Sequence, residues 1–193
     1  KEMKNNIKLL YVGSVPINSN TSGGSIVLSR HKKMFDIGEI IEIPLKYFNT
    51  QLIGSFIYKL LSRIHLTRIA KILEPILYLI DIRYDRKILN KLPNNIDGIL
   101  TIAHELGFLN AFILSKQLNK KLIILVHDWY PDSSGCPRWG NFFWEFIFKY
   151  IISSGSLVFP VSEAMSESLP SYINKIVLPP ISDPLVIPSP MST

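Results

Sequence analysis

The sequence predicts an α/β fold, a mostly parallel β-sheet with helices on both of its faces. Three observations carry that expectation. Short apolar runs of strand length recur along the chain, at 9–12, 97–103, 122–126 and 156–161. Segments with helical spacing of apolar residues lie between them. Polar residues able to do chemistry gather just after the runs, where open parallel sheets bind their ligands.

Taken in order, Leu9–Val12 is apolar throughout and reads as a buried strand. A polar loop follows and ends in Gly23-Gly24, and Ser25–Phe35 has the spacing of a helix. Adjacent glycines let backbone N–H groups approach an anion, and the helix start behind them adds a partial positive charge. Strand, glycine loop and helix thus open a phosphate-handling unit, although neither GxGxxG nor GxxxxGK[ST] is present and a plain connector fits the spacing too. Glu39–Ile43 alternates acidic and apolar residues as a second strand, and Pro44 closes it.

Segment 51–90 interrupts the simple alternation. Leu52, Phe56, Leu60, Leu61 and Ile64 recur at helical spacing, with Lys59, Arg63, Arg68 and Lys71 off that face. Pro75 is expected to break or kink the run, with a second helical piece from Ile76 to about Leu89. The two helices form an insertion, read either as a pair packed on the sheet or as a basic amphipathic surface for an anionic membrane.

Alternation then resumes. Asp97–Ala103 is a strand ending in His104-Glu105, Leu106–Leu118 a helix, and Leu122–Val126 a strand ending in His127-Asp128. A loop through Gly135 and Cys136 leads to an aromatic helix at Trp139–Ile152. Ser156–Val161 is a strand with Pro160 at its end, and Ser162 caps a helix running to about Leu169. Lys175–Leu178 is a last short strand, and the prolines from 179 onward make an extended linker. One domain over 1–180 and a linker over 181–193 are expected.

The chain has 193 residues and a net charge of +6. Segment 51–90 holds seven Lys/Arg and three Asp/Glu, so the basicity is local and points to an anionic partner. Nucleic acid is not that partner, because no basic run carries the interleaved aromatics of a single-strand binder. The single Cys136 allows no disulfide framework and fits a reducing compartment. The N-terminal residues lack a signal-peptide pattern. The charge-free stretch from Leu9 to Ser29 contains Pro16 and the two glycines, which rule out a membrane span. A cytoplasmic location is expected, with peripheral attachment to the inner face of the membrane as an extension of the basic-surface reading.

Four groups of residues could carry function. His127 can donate to a phosphate or hydroxyl, or exchange a proton near neutral pH, and Asp128 can accept from a substrate hydroxyl. The competing reading is that both cap the next turn. His104 and Glu105 hold the equivalent place one strand earlier. Trp129, Tyr130, Trp139, Phe142, Phe143 and Trp144 are read as core or crevice wall, with sugar stacking as the minority reading. The histidines at 31, 65, 104 and 127 lack metal-ligand spacing, so no metal is expected. No GxSxG supports a serine hydrolase, and no motif surrounds Cys136.

Together the opening GSVPINSNTSGGSIVLSRHKKMF, the DGILTIAHELG junction, the LIILVHDWYP strand end and LVFPVSEAMSESL followed by KIVLPP resemble the N-terminal half of a family 4-type glycosyltransferase of the GT-B fold. The resemblance runs from Ile7 to about Pro180. It implies a Rossmann-like acceptor-binding domain facing a C-terminal domain that binds the nucleotide-sugar donor. It implies that Gly23 and Gly24 approach the donor diphosphate and that His127 lies near the transferred sugar. Asp128, His104 and Glu105 would line the acceptor side, the acceptor being a glycan, a lipid-linked molecule or a small molecule. Hexosyl transfer would proceed with retention and without a bound metal or other cofactor. The glutamate pair and nucleotide-binding cation of the donor domain are not in these residues, so the chain alone is expected to be inactive. The alternative is a stand-alone binding or scaffold subunit that pairs with a separate donor-domain chain.

Overall fold

A computed structural model describes residues 7–14, 17, 39–43, 48–50, 53–84, 92–93, 95–104 and 107–178. The expected glycine loop and first helix, Glu105, and the proline-rich tail from 179 lie outside these residues.

The fold is α/β and Rossmann-like. Among the described residues its sheet has five strands: β1 (Lys8–Val12), β2 (Glu39–Ile43), β5 (Gly98–Ile102), β6 (Lys121–Val126) and β7 (Leu157–Pro160). They lie in the order β2-β1-β5-β6-β7, and every pairing is parallel. Strand β5 is buried along its whole length, as a central strand covered on both faces must be.

Side-chain alternation sorts the strands into two cores. Leu10, Val12, Ile99, Ile124, Val126 and Val158 face one side, against α3 (Gly107–Leu118) and α5 (Asn141–Ser153). Leu9, Tyr11, Leu100, Ile102 and Leu125 form a second buried cluster. Within the first core Phe108 meets Tyr130 and Phe148 edge-on, and Tyr130 meets Trp144, with ring centroids 5.5–6.2 Å apart. The aromatic cluster expected from sequence therefore divides. Trp144 and Tyr130 are core, whereas Trp139 and Phe142 are exposed, which corrects a reading of them as core.

The insertion has a defined base. Strands β3 (Phe48–Thr50) and β4 (Ile82–Tyr84) pair antiparallel on either side of α1 (Ile53–Arg63) and α2 (Thr67–Asp81). The chain thus leaves and re-enters at one place. The second helix ends at Asp81 and gives way to β4 rather than continuing to Leu89.

The break between the helices falls at Ile64–Leu66, not at Pro75. His65 takes a left-handed φ of 61°. Leu66 N–H donates to Leu61 O at 2.8 Å, and His65 N–H to Ser62 O at 3.2 Å. That double bond pattern terminates a helix and satisfies its last carbonyls.

Pro75 sits inside α2 without ending it. A proline in a helix leaves the carbonyl four residues earlier without its donor. Here that carbonyl belongs to Lys71, and the indole Nε1 of Trp144 donates to it at 2.9 Å. The acceptor is satisfied from outside the helix, so the helix continues. The same bond pins α2 to α5.

At the other end of the sheet, Ser162 caps α6 (Glu163–Ser168) by accepting from Met165 N–H at 3.2 Å, as expected. Lys175 Nζ donates to the carbonyls of Ser166 and Leu169 at its far end. The expected last strand at 175–178 is a single bridge between Lys175 and Val158. Its backbone still follows β7, with Ile176 N–H donating to Val158 O and Leu178 N–H to Pro160 O.

Candidate functional site

Because all five strands are parallel, their carboxyl ends share one edge. From that edge emerge Gly13-Ser14 after β1, His104 after β5, His127-Asp128 after β6 and Ser162 after β7. The sequence neighbour of β1, strand β2, lies on one side of it, and β5 lies on the other. The order of the strands therefore reverses between β1 and β5, the place where open α/β sheets form a ligand crevice.

The two sides of that reversal touch. Ser14 Oγ donates to His104 O at 3.2 Å. Gly107, the first residue of α3, abuts the turn after β1. A Cβ there would stand 2.5 Å from Ser14 N and 3.1 Å from Gly13 Cα. Only glycine lets the helix start come this close to another backbone. His104 is half-buried, and its ring meets Tyr130 edge-on at 5.8 Å and 65°. Tyr130 opens α4 (Tyr130–Ser133), the short helix after β6, so the segments following β5 and β6 are in contact.

His127 follows β6 directly and is half-buried, while Asp128 is exposed beside it. Strand pairing of Ile102 with Leu125 puts His104 and His127 just beyond the carboxyl ends of adjacent strands, each two residues after a paired position. The structure thus brings His104, His127 and Asp128 to one edge, while Gly23, Gly24 and Glu105 lie outside the described residues. Ser162 and Glu163 are accounted for by the start of α6.

Two residues escaped the sequence reading. Tyr11 and Glu42 are register partners on β1 and β2, one residue short of the strand ends. Burial pushes the Tyr11 phenol well above its usual range, and the Glu42 carboxylate adds to the rise. The phenol therefore stays protonated at neutral pH. Glu42 also accepts from Ile17 N–H at 3.4 Å, tying β2 to the chain after β1. The available signal was Glu42 alone, an acidic residue one position before the end of the second strand.

Burial pushes the Cys136 thiol up, Glu74 raises it further and Lys71 partly opposes, so the group is a poor nucleophile. Among the described residues no group of three His, Cys, Asp or Glu side chains is placed to hold a metal ion. None of the helices described is long and apolar enough to cross a membrane. The arrangement offers two imidazoles and an adjacent exposed carboxylate that accepts hydrogen bonds. No protein-family model matches the chain, and no curated protein matches it.

Proposed function

We propose that the chain is the acceptor-binding half of a retaining glycosyltransferase, which moves a hexosyl group from a nucleotide-sugar donor to a glycan, lipid-linked or small-molecule acceptor. One observation supports this reading above the others. His104 and His127 lie just beyond the carboxyl ends of the adjacent strands β5 and β6, and β5 borders the reversal of strand order. A sugar acceptor needs hydroxyl-directed hydrogen bonds, and a departing diphosphate needs donors aimed at its developing charge. His127 would serve the reaction centre, with His104, Glu105 and Asp128 on the acceptor. Gly23 and Gly24 would approach the donor diphosphate, which a second domain supplies.

The test is a transfer assay on the protein together with its donor-binding half, against a panel of nucleotide sugars. His127→Ala is expected to lower kcat by about 10²-fold or more with folding intact. His104→Ala is expected to act mainly on the KM for acceptor. Turnover unchanged by His127→Ala would remove the reading. A chain that binds the donor-binding partner but never turns over would instead favour the scaffold subunit.

A further inference from the structure

We infer that the solvent face of the α1–α2 hairpin is a docking surface for an anionic phospholipid membrane. This rests on the hairpin alone and is independent of the sugar-transfer reading. On α1, Phe56, Leu60 and Ile64 follow one another at four-residue spacing and are 64, 47 and 54 % exposed. Lys59 and Arg63, expected off the apolar face, are exposed beside this stripe, three residues after the first two of these. The turn and the start of α2 add exposed Leu66, Arg68 and Ile69. The more sheltered face of α1, with Ile57, Tyr58 and Leu61, is half-buried. The helix thus turns its largest apolar residue to solvent, which an ordinary surface helix does not do.

Charge selects the occupant. From Ile53 to Leu73 there are four basic residues and no acidic one. Lys71 is engaged with Glu74 at 2.9 Å, while the other three cations point outward with the apolar stripe. A second copy of the chain on this face would set cation against cation. Aliphatic side chains flanked by long cationic ones suit the boundary between headgroups and acyl chains, where lysine and arginine extend their heads to the phosphates. Each such cation raises partitioning onto an anionic surface about fivefold, so three give about 10²-fold over a neutral one. The exposed stripe on α5 (Phe142, Phe146 and Tyr150) lacks this bias, because Lys149 there is paired with Glu145 at 3.3 Å.

The test is vesicle sedimentation of the full chain on phosphatidylcholine alone and on phosphatidylcholine with about 30 % phosphatidylglycerol. Binding is expected to the anionic vesicles, to weaken steeply with added salt, and to fall at least tenfold in Phe56→Gln/Leu60→Gln. Lys59→Gln/Arg63→Gln should lose most of the preference for anionic over neutral vesicles. Circular dichroism melting identifies any variant that fails to fold, in which case the other pair decides. Absence of binding at low salt, or binding unaffected by either pair, overturns the proposal. So does a dimer in sedimentation velocity that Phe56→Gln abolishes, which would assign the face to a second copy.

Discussion

Helices α1 and α2 look alike in sequence, both strongly amphipathic, yet they belong to the molecule in different ways. Helix α2 is tied to the body of the domain at three places. Its Lys71 carbonyl accepts from Trp144 on α5, and its Tyr78 hydroxyl accepts from Asn110 Nδ2 on α3 at 2.9 Å. Its Ile72 fills the space over Gly140, where an added Cβ would stand 2.4 Å away. Helix α1 packs on α2 and turns its apolar stripe to solvent. Periodicity reports that a helix has an apolar face, and the partner of that face is decided by the rest of the fold. The difference teaches that one hairpin can carry a structural helix and an interaction helix side by side.

The contrast can be broken first at Trp144, which is 1 % exposed. Trp144→Ala is expected to cost about 3–5 kcal/mol in denaturant unfolding. Trp144→Phe keeps most of the volume but leaves the Lys71 carbonyl without its donor, and should cost about 1–3 kcal/mol. Pro75→Ala restores an N–H within α2, so in that background the Trp144→Phe penalty should shrink. An undiminished penalty would mean that the indole acts through packing alone.

Alkaline titration sharpens the same comparison. Burial raises the Tyr78 phenol, although the Asn110 hydrogen bond pulls it partly back, and Tyr11 is raised as well. Above the ordinary phenol value the unfolded chain releases protons that the folded one keeps. The unfolded state then binds fewer protons, and stability falls as pH rises. The loss should begin near pH 10, with a slope bounded at about 1.4 kcal/mol per pH unit for each group. Tyr78→Phe and Tyr11→Phe should each flatten the unfolding midpoint against pH. The smallest effect belongs to α1, where Phe56→Gln should change stability by no more than about 0.5 kcal/mol.

The strands were the most legible part of the chain. Leu122–Val126 and Asp97–Ala103 announce β6 and β5 because central parallel strands are apolar on both faces. Ser162 was readable as a cap because its role is local. Pro75 misled, because the donor that rescues α2 lies 73 residues from the carbonyl it serves. The true helix end at His65 was hidden for another reason: no glycine marks it, and a non-glycine residue at left-handed φ is uncommon. Strands β3 and β4 have three residues each, too few for a period to show. At the candidate site, His104 and His127 could be placed by their position after apolar runs. Tyr11 and Glu42 could not be joined, since only strand pairing puts them side by side.

The acceptor left open within α2 sets an order of events as the chain is made. Synthesis delivers residues 67–81 well before the indole at position 144, so a helix formed there in the growing chain would have only water to donate to the Lys71 carbonyl. The hairpin can therefore reach its finished form only after α5 has emerged. Its last fastening is a late one, and a chain cut short before that point would present the hairpin loosely held on an unfinished domain.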